Sequence, residues 1–118
     1  MVKRGEIYYY DNGAIDDGNI QSGARPVVIM SNDKANAFSP IITVVPLTAK
    51  FWKKRNLPTH VPIYRNRDNG LSRNSLALAE QVTSINKSDL GDYKGCVDED
   101  TLLAIGHALD IQLGLAEN

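Results

Sequence analysis

The sequence predicts a mainly β chain with one C-terminal helix, folded as a small, strongly bent antiparallel sheet or open barrel. Three observations carry this. Two β-branched, aliphatic runs, Pro26 to Met30 and Ile41 to Leu47, are four to eight residues long and bounded by turn residues, the pattern of buried strands. Shorter apolar runs recur along the chain between segments rich in Gly, Asn, Asp and Pro. Helical spacing appears only at the end, where Leu102, Ile105, Leu109 and Leu113 form one stripe. At 118 residues the chain is one domain, 1–118, able to bury about two-thirds of its unfolded surface.

In order, Glu6-Ile7-Tyr8-Tyr9-Tyr10 is an aromatic first strand. Asp11 to Ser22 has little to bury and reads as a long loop, of a length that suggests function. Strands follow at about 25–31 and 41–47, joined by the polar segment Asn32 to Pro40. Ala49 to Pro58 is a second long loop, in which Phe51 and Trp52 interleave with Lys50, Lys53, Lys54 and Arg55. Thr59 to Tyr64 is a strand, and Pro62 places it at an edge or a bulge because proline cannot donate to a ladder. Asp68-Asn69-Gly70 is a turn. Ser75 to Ile85 reads as one long strand with Leu76, Leu78, Glu80 and Val82 on one face. Asn86 to Leu90 looks like a single helical turn capped by Asn86, and Lys94 to Val97 like a short last strand. Asp98 is a good N-cap, with Glu99 and Asp100 in the first turn where the helix dipole favours acids. Leu103 and Ile111 give that helix more apolar surface than one sheet face needs, which suggests a second subunit.

The net charge of −1 hides a polar distribution. Residues 50–73 hold seven Lys and Arg against Asp68 alone; residues 74–118 hold two against eight acids. The middle of the chain suits an anionic partner. No apolar run is long enough for a membrane span, the first residues do not resemble a secretory signal, and the single cysteine, Cys96, fits a reducing cytoplasm. Cys96 is read as a small buried hydrophobe. No His, Cys or Asp cluster has metal-ligand spacing and no glycine loop could cradle a nucleotide, so neither metal nor cofactor is expected.

The candidate site comes from the two central strands. Arg25 enters one and Thr48 leaves the other. If the strands are antiparallel neighbours, a guanidinium and a hydroxyl share one rim of the sheet.

Gly23-Ala24-Arg25-Pro26-Val27-Val28, Leu47-Thr48-Ala49, Leu57-Pro58-Thr59-His60-Val61 and Glu80-Gln81-Val82 together resemble the MazF/PemK (Kid) toxin endoribonucleases of type II toxin–antitoxin systems. The resemblance runs from Lys3-Arg4-Gly5-Glu6-Ile7-Tyr8 to the final helix, and its specificity lies in the order and spacing of these pieces. It implies an SH3-like, CcdB/MazF-like barrel that forms homodimers. It also implies metal-independent, sequence-specific cleavage of single-stranded RNA, chiefly messenger RNA. The products would be a 2′,3′-cyclic phosphate and a 5′-hydroxyl, and a cognate antitoxin would neutralise the toxin. Arg25 and Thr48 become the catalytic pair: a planar fork for two phosphate oxygens, and a positioned hydroxyl. The expected RNA-contacting set is Asn19, Gln21, Lys50, Phe51, Trp52, Lys53, Lys54, Arg55 and Gln81, combining cations for phosphates, aromatics for stacking and amides for base edges.

The general base is left open. Some relatives carry a Glu just before the Arg-Pro strand, where this chain has Asn19-Ile20-Gln21-Ser22. His60 could carry a proton, but its place in a strand favours a hydrogen-bonded structural role; His107 is packed or on the surface. Two rivals remain: a CcdB-like toxin that binds a protein target such as gyrase, and an inactive relative kept for antitoxin binding.

Overall fold

The computed structural model describes residues 1–11, 24–50 and 57–117. Within them the strands are β1 (Glu6–Asp11), β2 (Ala24–Ile29), β3 (Ile41–Thr48), β4 (His60–Ile63), β5 (Ser75–Leu78), β6 (Thr83–Asn86) and β7 (Leu90–Cys96). Helix α1 spans Asp33–Phe38 and α2 spans Glu99–Gln112. The strands pair antiparallel in the order β4-β5-β3-β2-β1-β7, with β6 also on β3. No pairing among the described residues joins β4 to β7, so the sheet is open and branched, in line with the bent sheet expected but not closed into the SH3-like barrel that the resemblance implied.

β3 is the hub, because nearly every residue in it is apolar and it is covered on both faces. One of its edges takes β2. The other is shared: β5 pairs at Leu47↔Ala77 and Thr48↔Leu76, and β6 at residues 41–44, ending at Val44↔Thr83. Between those pairings β3 advances three residues while the returning chain advances six. The three extra residues form a 3-10 turn, Ala79–Gln81, that stands out from the sheet. The single long strand expected over Ser75–Ile85 is therefore two, and all four residues of β5 are buried, so its alternation carries no exposed face. Pro46, which has no N–H to give, occupies β3 between the two pairings.

Alternation divides the core in two. Ile7, Val28, Val45, Leu47 and Ala77 point to the side covered by α2, whose Ile105 and Ala108 are fully buried there. Val27, Ile29, Ile42, Val44 and Ile85 point to the opposite side with Tyr8 and Tyr10. Asp98 caps α2 as expected, its carboxylate accepting from the Thr101 N–H at 2.8 Å. Leu102 and Leu109 pack on the core, but Leu113 falls beyond the last helical residue and is exposed, so the buried stripe is shorter than the spacing suggested.

Other departures have local causes. The polar segment after β2 contains α1: Asn32 Oδ1 accepts from the Ala35 N–H at 2.8 Å, and buried Asn36 donates to the Ser31 carbonyl at 2.9 Å. Its polar side chains satisfy one another within the turn. Lys87–Asp89 is a 3-10 turn in the expected place, but Asn86 makes no side-chain cap. β7 is longer than expected, because an edge strand tolerates the polar residues that mask it in sequence, and Cys96 on it is exposed, not buried. β4 is an edge strand, which accommodates Pro62.

Candidate active site

Tyr10 pairs with Arg25 across β1 and β2. Carrying the β2–β3 register two residues past Val27↔Pro46 sets Arg25 opposite Thr48. The three form one row on the side of the sheet away from α2. Register and pleat alone bring together the guanidinium and hydroxyl that the sequence singled out.

Arg25 is 7% exposed and Thr48 3%. The Arg25 Nη2 donates to the Leu47 carbonyl at a long 3.4 Å, and its Nε, buried, has no hydrogen-bond partner among the described residues. Burial pushes its pKa down, although a guanidinium remains protonated at any physiological pH. A buried cation with an N–H unused and no ion pair among the described residues is a costly arrangement. It is well suited to an incoming anion, which would satisfy that donor with a charge-assisted bond. Thr48 Oγ1 accepts from the Lys50 N–H at 3.2 Å, which fixes the hydroxyl and turns the chain after β3.

Arg25 lies in a cleft of about 470 Å³. Tyr10, Val27 and Pro46 form the sheet side, and Glu80 to Ile85 form the facing wall. That wall exists because of the 3-10 turn, which carries Glu80 and Gln81 out of the sheet and into the cleft. Gln81 thus lines the same cleft as Arg25. Lys50 is exposed beside Thr48, while Asn19, Gln21, Phe51, Trp52, Lys53, Lys54 and Arg55 lie outside the described residues.

The sequence reading missed a carboxylate–imidazole pair at this wall. His60 Nε2 and Glu80 Oε2 are 2.7 Å apart, and the Thr59 hydroxyl donates to Glu80 Oε1 at 3.0 Å. Burial pushes the Glu80 carboxyl up, but the bonds from His60, its own backbone and Thr59 outweigh this and hold its pKa below the ordinary value. Both carboxylate oxygens are therefore engaged, and Glu80 is a weak base that ties the 3-10 turn to β4. His60 has the structural role favoured by its place in a strand. The pairing could have been found only from the β4–β5 register, His60↔Leu78, which brings the two residues together. His107 is on the surface. No three His, Cys, Asp or Glu side chains among the described residues gather as a metal site.

Residues 3–113 match the family of PemK-like, MazF-like toxins of type II toxin–antitoxin systems. The chain belongs to this family. It is 38% identical over 117 residues to the endoribonuclease EndoA of Bacillus subtilis strain 168, covering 99% of this chain and 98% of that one. To the endoribonuclease MazF of Staphylococcus epidermidis it is 36% identical over 115 residues, covering 98% and 93%. Among solved structures, an endoribonuclease in complex with its cognate antitoxin from a mycobacterial species superposes with a TM-score of 0.77 at 29% identity, over 100% of both chains. A MazE–MazF complex from Deinococcus radiodurans, at 16% identity and a TM-score of 0.75 over 98% and 97%, shares the fold. The MazF-like fold thus combines an open antiparallel sheet with a C-terminal helix.

Proposed function

We propose that this chain is a MazF-type endoribonuclease toxin that cuts single-stranded RNA, chiefly messenger RNA, at a short sequence and is silenced by a cognate antitoxin. The observation that carries this reading is Arg25, a buried guanidinium with an unused donor, opening into a cleft on the same row as Thr48. The names of the Bacillus and Staphylococcus relatives, and the antitoxin bound to the mycobacterial one, support it.

The scissile phosphate is taken to lie against Arg25. The 2′-oxygen attacks phosphorus as the P–O5′ bond breaks, leaving a 2′,3′-cyclic phosphate and a 5′-hydroxyl. Charge grows on the non-bridging oxygens in the transition state, where a fixed guanidinium in a poorly solvated site acts most strongly. Thr48, held by the Lys50 amide, orients the nucleophile or a phosphate oxygen. The 2′-proton leaves to solvent and the departing 5′-oxygen takes one from it, because Glu80 is engaged and weakly basic. Gln81 reads a base edge, and the basic 50–55 segment follows the phosphates. The toxin acts as a cytoplasmic homodimer and needs no metal.

The test is to incubate the purified protein with a mixed RNA pool in EDTA and map the cut ends. Cyclic-phosphate and 5′-hydroxyl ends at a shared sequence are expected, and Arg25→Ala should reduce cutting at least a hundredfold. Intact RNA, or unchanged cutting by a folded Arg25→Ala protein, rejects the assignment and favours a toxin that binds a protein target.

A further inference from the structure

A second, smaller concavity of about 200 Å³ lies on the other side of the same strands. Its floor is the adjacent row: Tyr9 pairs with Pro26, and the β2–β3 register carried one residue past Val27↔Pro46 sets Pro26 opposite Leu47. Its walls bear two cations, Arg73 from the segment before β5 and Lys94 from β7, with the hydroxyls of Ser72 and Ser75. No carboxylate lines it among the described residues. Neither cation is in an ion pair among the described residues.

The cations are held together by the backbone. Gly70, at φ +65°, has so little room that a Cβ would come 2.0 Å from the Lys94 carbonyl oxygen, and a Cβ on Gly95 would come 2.2 Å from that of Asp68. The Cys96 N–H donates to the Asp68 carbonyl at 2.9 Å. The turn that leads to Arg73 therefore rests directly on β7 at Lys94. The Lys94 ammonium stands 4.8 Å from the centre of the Tyr9 ring, which fixes its position without neutralising its charge.

We infer that this concavity binds the phosphates of the RNA strand next to the scissile one, with Arg73 and Lys94 as the contacting cations. The inference rests on the proposed cleavage of RNA. Ala24 and Ala49 line this concavity, and each is the chain neighbour of a residue in the catalytic row, Arg25 and Thr48 respectively. The two concavities thus lie back to back on one pair of strand ends. An RNA chain crossing that rim could contact Arg25 on one side and Arg73 and Lys94 on the other. Cations with no ion pair among the described residues suit phosphodiesters, which contribute affinity and register but no sequence choice.

The test measures binding of a fluorescein-labelled, fully 2′-O-methylated single-stranded RNA, which cannot be cut, across about 50 to 200 mM salt. Arg73→Gln/Lys94→Gln is compared with the wild type and with the charge-keeping Arg73→Lys/Lys94→Arg, each shown to be folded by its melting curve. The double glutamine variant should lower the log–log salt slope by about 1.4, at about 0.7 per phosphate contact on a single strand, and the charge-keeping variant should retain the wild-type slope. An unchanged slope in a folded double glutamine variant overturns the inference while leaving RNA cleavage standing. A wild type that binds no RNA overturns the cleavage reading and this inference with it. If the double variant keeps its RNA slope but loses affinity for a poly-glutamate peptide, the concavity belongs to an acidic protein segment and the RNA assignment is rejected.

Discussion

At the scale of single residues the site combines one unsatisfied group with several satisfied ones. Arg25 retains a buried N–H without a partner among the described residues, whereas Thr48 and Glu80 have theirs. This predicts different outcomes on substitution. Arg25→Lys should lose most of the activity despite keeping its charge, because an ammonium has no fork for two phosphate oxygens; single-turnover cleavage is the measurement. Thr48→Ala should be comparably damaging with an unchanged circular dichroism spectrum, and Thr48→Ser should recover activity by restoring the hydroxyl. Native cutting by Thr48→Ala would remove that hydroxyl from the mechanism.

Glu80 supplies a pH dependence whose sign follows from its pKa. Its folded pKa is depressed, so the stabilisation is complete above the unfolded carboxyl value and is lost as pH falls through and below it. The wild type should therefore lose stability on acidification more steeply than Glu80→Gln, as read from melting temperatures across the acid range. The difference should be small, because the group is substantially exposed and screened. Equal acid slopes would mean that the His60–Glu80 pair does not hold in solution.

At the scale of elements, stability concentrates in the caps and the α2 contact. Asn32→Ala removes the side-chain acceptor of α1 and should cost about 1 kcal/mol by chemical denaturation. Ile105→Ala leaves a cavity where α2 meets the sheet and should cost about 2–5 kcal/mol. These two elements also show what was legible in the sequence. α2 could be read because its N-cap, acidic first turn and apolar stripe all agree, and the two central strands because their residues are apolar on both faces. Arg25 and Thr48 followed, since a strand's ends and its alternation fix which side chains share a rim. α1 was hidden because its polar residues bond to each other and leave no apolar period. The 3-10 turn was hidden because a register shift on β3 is a property of three strands together, and with it went the Glu80–His60 pair. Cys96 was misplaced because a bulged edge strand gives no reliable alternation.

At the scale of the whole molecule, the charge asymmetry connects catalysis to control. The chain between residues 50 and 73 is strongly basic and the chain after it acidic, and the basic part reaches the smaller concavity through Arg73. A surface that steers RNA by its phosphates steers an acidic, extended protein segment equally well, because the field distinguishes charge and not chemistry. An antitoxin tail of that kind would gain association rate from the same cations and fold onto the surface at the cost of its own ordering. RNA and such a peptide should therefore exclude one another around Arg25 and the 50–55 segment. A titration of labelled, uncleavable RNA with rising acidic antitoxin peptide should show the apparent Kd for RNA rising in proportion to peptide concentration. A Kd that stays constant at saturating peptide would refute overlap. Silencing would then have to act elsewhere on the chain.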